Sequence, residues 1–383
     1  MNLIRTGRDL RVDFFRGLAL WWIFTDHVPA NWLNQLSLRN FALCDAAEVF
    51  VLLAGYGAGL AYGGRMRRNG WVSAGADVLA RAWTLYIAHI FLFVVFVAQV
   101  AYSAAALNRG DFIDEIHIDV LGESPYRAMF EALTLRYQPS FLNILPMYIV
   151  VLLMFIPALK LLARPNILAA LSLSLYAVSR TFGLGLPSWK GDGWYFNPLT
   201  WQLLFMLGAI LATSPGQPPR HRRSLDILAA LVVLFGVLMQ WVVWQHPELT
   251  SHLPLRIARA LLSVDKEGLH PFRLVSILAL TWLTVRLVPA GAAWLRGRIA
   301  APFILAGQHS LPVFCVGIFL SFLGRLVLEF SPTWEAQVAI NVAGALGLTA
   351  VAALAAWYKA KGARPRGTGL VAEDKDGPRM DVA

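Results

Sequence analysis

Ten stretches of about 20 mostly apolar residues, centred near residues 21, 54, 93, 151, 175, 206, 235, 279, 314 and 346, take up most of this 383-residue chain. A hydrocarbon layer about 30 Å thick needs about 20 apolar residues per crossing helix. Every backbone group must find its partner inside the segment, which makes helices the spanning form for such stretches. The expected fold is all-α: a polytopic integral membrane protein with a bundle of about ten transmembrane helices. One transmembrane domain over residues 1–361 and a disordered cytoplasmic tail over 362–383 are expected, with no room for a separate soluble domain. Only 15% of residues are charged and 57% are hydrophobic, against roughly 25% charged in soluble chains. Basic residues precede the first stretch as in a signal peptide, but its interior holds Asp13, Arg16 and Asp26 and no small-residue cleavage site follows. It reads as a retained first helix.

A formal net charge of +10 raises the question of nucleic acid, and the placement of the charges answers it. Basic residues cluster in alternate loops: around Arg5, Arg8 and Arg11, around Arg65, Arg67, Arg68 and Arg81, at Lys160 and Arg164, at Arg220, Arg222 and Arg223, at Arg286, Arg296 and Arg298, and from Lys359 onward. With ten spans these loops share one face, which the excess of Lys and Arg makes cytoplasmic, both termini included. The charge then complements anionic lipid, and no nucleic-acid partner is expected. The opposite face holds an acidic loop with Asp111, Asp114, Glu115, Asp119 and Glu123, read as solvated. Cys44 and Cys315 show neither a disulfide framework nor metal-ligand spacing. They read as packing residues, and no metal is expected.

The segment "RVDFFRGLALWWIFTDHVPANW", residues 11–32, combines a span with Asp13, Arg16, Asp26 and His27. Ionisable groups inside a membrane face a protein interior or a water-filled cavity. Arg16 and His27 are eleven residues apart, about three turns plus 20°, and so share a face about 16 Å apart along the axis. Asp13 lies on the same stripe and can pair with Arg16, whereas Asp26 points about 100° from His27. These positions predict a polar stripe lining a cavity between the two sides; the alternative is that Arg16 snorkels to the inner interface and His27 caps the outer end. In the second span Asp45 and Glu48 share a face near the same end as His27. A carboxylate from this pair can orient the imidazole and raise its basicity; their alternative is capping of the helix start.

Further polar residues sit near span ends: Asn197, Trp201 and Gln202 at the sixth, Asp265, Lys266, His270 and Arg273 before the eighth, and Gln308, His309 and Ser310 early in the ninth. Arg39, Lys266 and Arg273 lie on the outer side, where their simplest reading is loop charge. His89, alone on an apolar helix, reads as a packing residue with its hydrogen bonds satisfied.

Arg16 and His27 form the R-x10-H arrangement of the acyltransferase-3 superfamily. More narrowly, "RVDFFRGLAL", "FTDH", "LRNFALCDAAEVFVLLAGY", "WYFNPLTWQLLFMLGA" and "GQHSLPVFCVGIF" resemble the OpgC family, membrane succinyltransferases that modify osmoregulated periplasmic glucans. The resemblance runs from about Arg11 to the tenth span. It implies a multi-pass protein of a bacterial inner membrane that moves an acyl group, succinyl by analogy, from acyl-CoA in the cytoplasm to a glycan hydroxyl outside. His27 is then the catalytic histidine, aided by Glu48 or Asp45. Arg16 and Asp13 belong to the acyl-donor site, with Arg39, Asn197, Trp201, Gln202, Lys266, Arg273 and His309 as further binding candidates. Partners implied are the bilayer, the glycan acceptor and proteins of glucan synthesis. Many superfamily members carry Ser where this chain has Ala54, so no hydroxyl acts there. A secondary transporter of a small acid or glycan is the alternative: it too places ionisable groups at midplane, but no inverted repeat is visible. A degenerate relative serving as a scaffold is a third reading.

Overall fold

The computed structural model describes residues 9–213 and 222–362. The expected tail lies outside these residues from position 363 onward. Every regular element among the described residues is a helix. Helix α1 (Leu10–Asp26) begins where the Asp9 carboxylate accepts from the Arg11 amide at 3.0 Å. Two 3-10 turns lead to α2 (Ala46–Leu107). The short helices α3 (Asp111–Ile116), α4 (Val120–Glu123) and α5 (Pro125–Leu133) follow. Next come α6 (Ile144–Ala158), α7 (Pro165–Phe182), α8 (Pro198–Leu211), α9 (Arg223–Leu238) and α10 (Leu255–Leu262). The chain continues through α11 (Pro271–Leu287), α12 (Ala300–Gln308), α13 (Ser310–Phe330) and α14 (Trp334–Gly362). Proline opens α7, α8 and α11, where its missing N–H has no intrahelical partner to lose.

A helix covers each of the ten expected centres. Among the described residues, five helical stretches are long and apolar enough to cross a membrane, by length and composition: Ala46–Leu107, Ile144–Ala163, Arg223–Val243, Ser310–Phe330 and Trp334–Lys361. Large apolar side chains such as Phe91, Leu231 and Leu346 are exposed in mid-helix, as expected of surfaces that meet lipid tails rather than water. The protein is a membrane protein.

The 62 residues of α2 would make a rod about 93 Å long. Gly70, at φ 80° and ψ 173°, breaks it into two arms. Arg65 reaches Asp77 at 3.1 Å and the Ser73 hydroxyl at 3.1 Å. Twelve residues of straight helix would separate Arg65 from Asp77 by about 18 Å, so the arms fold back at the glycine. The second arm leads into α3, where the acidic residues Asp111, Asp114, Glu115, Asp119 and Glu123 are exposed as expected, and some of them also carry ion pairs. Asp111 pairs with Arg109 at 2.7 Å, and Glu115 and Glu329 bind Arg325 and Arg109. Phe112, Ile116 and Val120 are buried beneath them, because apolar residues alternate with the acidic ones and turn one side of the short helices into a cover.

Backbones approach closely where glycine removes the side chain. A Cβ at Gly17 would overlap the carbonyl oxygen of Phe303, and one at Gly307 that of Asp13, which fixes α1 against α12. Gly55 and Gly208 do the same for α2 and α8, against Phe205 and Leu52. Such small-residue contacts let dispersion, rather than a hydrophobic drive that lipid weakens, hold helices together. Asn31 and Asn341 exchange side-chain hydrogen bonds at 3.0 and 2.9 Å, tying the end of α1 to α14. A Gly307→Val protein is therefore expected to lose stability by at least about 1–3 kcal/mol, seen as a lower melting temperature in detergent. Gly110→Ala, where a Cβ meets nothing within 4 Å, serves as the unaffected control.

Candidate active site

Helix α1 carries Arg16 against α2, where one guanidinium nitrogen donates to the carbonyl oxygen of Leu53 at 2.7 Å. Gly57, one turn further, leaves the room this needs: a Cβ there would stand 3.0 Å from that nitrogen. A cavity of about 170 Å³ opens beside it, lined by Arg16, Arg81, Tyr62, Tyr148 and Ser310 together with Phe50, Leu85, Leu145 and Phe314. Two guanidinium groups and no carboxylate among its lining residues give the cavity a basic wall, and guanidinium is a group that binds phosphate and carboxylate through paired N–H donors. The sequence reading counted Arg81 only as a loop charge. Its signal was position: eleven residues past the break at Gly70, it stands about 16 Å along the second arm. Asp13 is fully buried, and its carboxylate accepts from Gln308 at 3.0 Å, which brings the end of α12 to the same region. His309 follows at the junction of α12 and α13.

A second polar group forms at the other end of α1. Asp45 and Glu48 make a capping box: the Asp45 carboxylate accepts from the Ala47 amide at 2.8 Å, and Glu48 accepts from the Asp45 amide at 2.9 Å. Capping is thus realised for both, yet it uses only part of each carboxylate. Glu48, fully buried, also accepts from Arg273 Nε at 2.6 Å. Asp45 takes Arg273 at 3.0 Å and Lys266 Nζ at 2.7 Å. Arg273 sits in the first turn of α11, where the helix dipole disfavours a cation; the two carboxylates compensate for that. Two anions balance two cations, so Lys266 and Arg273 bring no excess charge for a ligand. Arg39 is exposed, with no ion pair among the described residues.

Asn197, Trp201 and Gln202 build this end rather than line a cavity. Asn197 caps α8 and binds the Leu184 carbonyl at 2.7 Å. The buried Trp201 indole N–H is 3.2 Å from the carbonyls of both Lys266 and Glu267. It holds the loop that delivers Lys266, and Arg180 grips the same loop at Asp265 and Gly268. Gln202 is buried and joins α8 to Ser172 of α7 through bonds of 2.6 and 2.9 Å.

His27 caps the C-terminus of α1, with Nδ1 2.6 Å from the carbonyl oxygen of Ile23. A carbonyl only accepts, so Nδ1 carries the proton, and in the neutral ring Nε2 keeps its lone pair. Nε2 makes no hydrogen bond to a described residue, and the ring packs edge-on against Phe141 at 4.7 Å between centroids. The expectation that Asp45 or Glu48 orients the imidazole is corrected: both carboxylates are occupied, and the last carbonyls of a helix are the acceptors at hand. Lys266, Asp45 and Arg39 still lie within electrostatic reach of the ring. The expected continuous polar stripe is also corrected. Leu20 and Ile23 lie on the same face between Arg16 and His27 and are buried, and His27 does not line the Arg16 cavity.

A last correction concerns His89. It is fully buried in the second arm of α2, but neither ring nitrogen has a hydrogen-bond partner among the described residues. A buried unsatisfied donor costs about 1–3 kcal/mol, so apolar surroundings in the sequence did not mean a satisfied ring.

The fold and the site define a class: an all-helical membrane protein with an arginine-lined cavity beside the first half of its first helix and a histidine capping that helix's C-terminus. The chain belongs to the OpgC family, described as OpgC protein, whose model matches residues 8–360. Neither the curated proteins nor the solved structures yield a match. Membership of this family suggests an acyltransferase acting on glucans.

The Arg273 cluster leads to a direct expectation. Removing one partner of a buried ion pair strands the other charge, typically at about 3–5 kcal/mol. Arg273→Leu is therefore expected to unfold far more readily than Lys266→Ala, whose partly exposed side chain leaves Arg273 in place. Thermal melts of the two proteins in the same detergent check the order.

Proposed function

We propose that this protein is a multi-pass acyltransferase of a bacterial inner membrane. It moves an acyl group, succinyl first among the candidates, from acyl-CoA on the cytoplasmic side to a hydroxyl of a periplasmic or envelope glycan. Family membership supports the reaction class. The observation that carries the mechanism is the His27–Ile23 bond, because it leaves Nε2 as the proton acceptor of a neutral ring.

In this reading Nε2 takes the proton of the acceptor hydroxyl while its oxygen attacks the thioester carbonyl. The C–S bond breaks, the acyl group ends on the glycan oxygen, and the thiolate of CoA takes the proton back from Nε2. The Ile23 carbonyl stabilises the imidazolium between these steps. General-base assistance of this kind is worth about 10²–10⁴-fold in rate. Arg16 and Arg81 receive the anionic part of the donor, and the extended arm of CoA runs along α1 across the roughly 16 Å to His27, displacing contacts around Leu20 and Ile23. Glu48, Asp45, Lys266 and Arg273 keep the His27 end in shape without competing for charge. Ten spans put the arginine-rich loops and both termini in the cytoplasm.

Two measurements test this. Mass spectrometry of envelope glycans is applied to a strain lacking the protein and complemented with wild type or His27→Ala at matched levels. An acyl mass increment is expected with wild type only, and transfer from succinyl-CoA in isolated membranes is expected to fall by about 10²–10⁴-fold in the variant. Near-normal transfer by His27→Ala rules out the base; glycans unchanged in every strain favour a transporter. A reporter fused after Gly362 is expected to behave as cytoplasmic, and periplasmic behaviour would overturn the topology.

A further inference from the structure

The Arg16 cavity, at about 170 Å³, is smaller than the roughly 300–1,000 Å³ of a ligand pocket. A donor that enters it must therefore extend past its present walls. On the second arm of α2, Arg81 and Leu85 line the cavity. His89 is the next residue along that face, one turn or about 6 Å beyond Leu85 and rotated by about 40°. It is fully buried, in a stretch whose neighbours Leu85, Leu92 and Phe93 are buried too. Both of its ring nitrogens lack a partner among the described residues. An imidazole in such a place is the reverse of a packing solution, because an apolar side chain of similar size would fill the space without stranding a donor and an acceptor.

We propose that His89 is a donor-binding residue: its ring N–H meets a carbonyl oxygen of the acyl-pantetheine arm once that arm opens the cavity beyond Leu85. This rests on the acyl-CoA reading above. Neutral imidazole offers one donor and one acceptor, and the arm carries amide carbonyls, amide N–H groups and the thioester carbonyl, so the chemistry matches on both nitrogens. No proton is transferred and no bond breaks at His89; it holds the arm so that the thioester continues toward His27.

The experiment uses full-length protein in lipid nanodiscs, with CoA and succinyl-CoA as probes and both melting temperature and Kd as readouts. H89L is expected to melt no lower than wild type without ligand, since it removes an unsatisfied group, while binding succinyl-CoA about tenfold more weakly. H89Q, which restores an N–H donor, is expected to recover part of that affinity. Equal loss for CoA and succinyl-CoA assigns the contact to the amides of the arm; loss for succinyl-CoA alone assigns it to the thioester. Unchanged affinity in H89L overturns the proposal, as does a marked fall in its melting temperature without ligand, which would mean that the ring is bonded within the fold. If wild type itself binds neither probe, the acyl-CoA reading fails, and this assignment with it.

Discussion

A carboxylate with no exposed surface, in a protein whose outside meets hydrocarbon, must find its solvation in backbone N–H groups and other side chains. Glu48 is in that position, and Arg273 comes to it from more than two hundred residues away in the chain. Much of one end of the bundle follows from this pairing. Arg273 fixes the start of α11 against the start of α2, Asp45 draws in Lys266, and the loop bearing Lys266 is pinned by the indole of Trp201. Because the cluster is neutral in sum, it organises the region without making it a trap for ions. His27 sits at the edge of this group and is held by a backbone carbonyl, so its orientation comes from α1 itself while the electrostatic surroundings come from elsewhere.

The Arg16 and His27 regions share one helix, but the cavity at Arg16 does not extend to His27. Arg16 faces an arginine-lined cavity, and His27 faces Phe141, with Leu20 and Ile23 buried between them. Glycine contacts between α1 and α12, and between α2 and α8, bring backbones so near that the helices around this stretch act as fixed walls. Adjustment then falls to side chains, among them Phe50, whose ring centroid lies 6.5 Å from those of both Tyr148 and Phe314 along the cavity.

Length and hydropathy determined that the chain is helical and that it belongs in a membrane, and spacing determined that Arg16 and His27 share one face of the first helix. They did so because 3.6 residues per turn and the thickness of hydrocarbon are local constraints that a sequence states directly. The capping roles of Asp45 and Glu48 were legible for the same reason. What only the tertiary structure decided was partnership: that Arg273 and Lys266 are already bound to carboxylates, that Asn197, Trp201 and Gln202 support loops and helices, that Arg81 joins Arg16, that Ile23 rather than a carboxylate orients His27, and that His89 is left without a bond. Each of these depends on which helices are neighbours, and that is set by contacts between residues distant in the chain, to which local periodicity is blind.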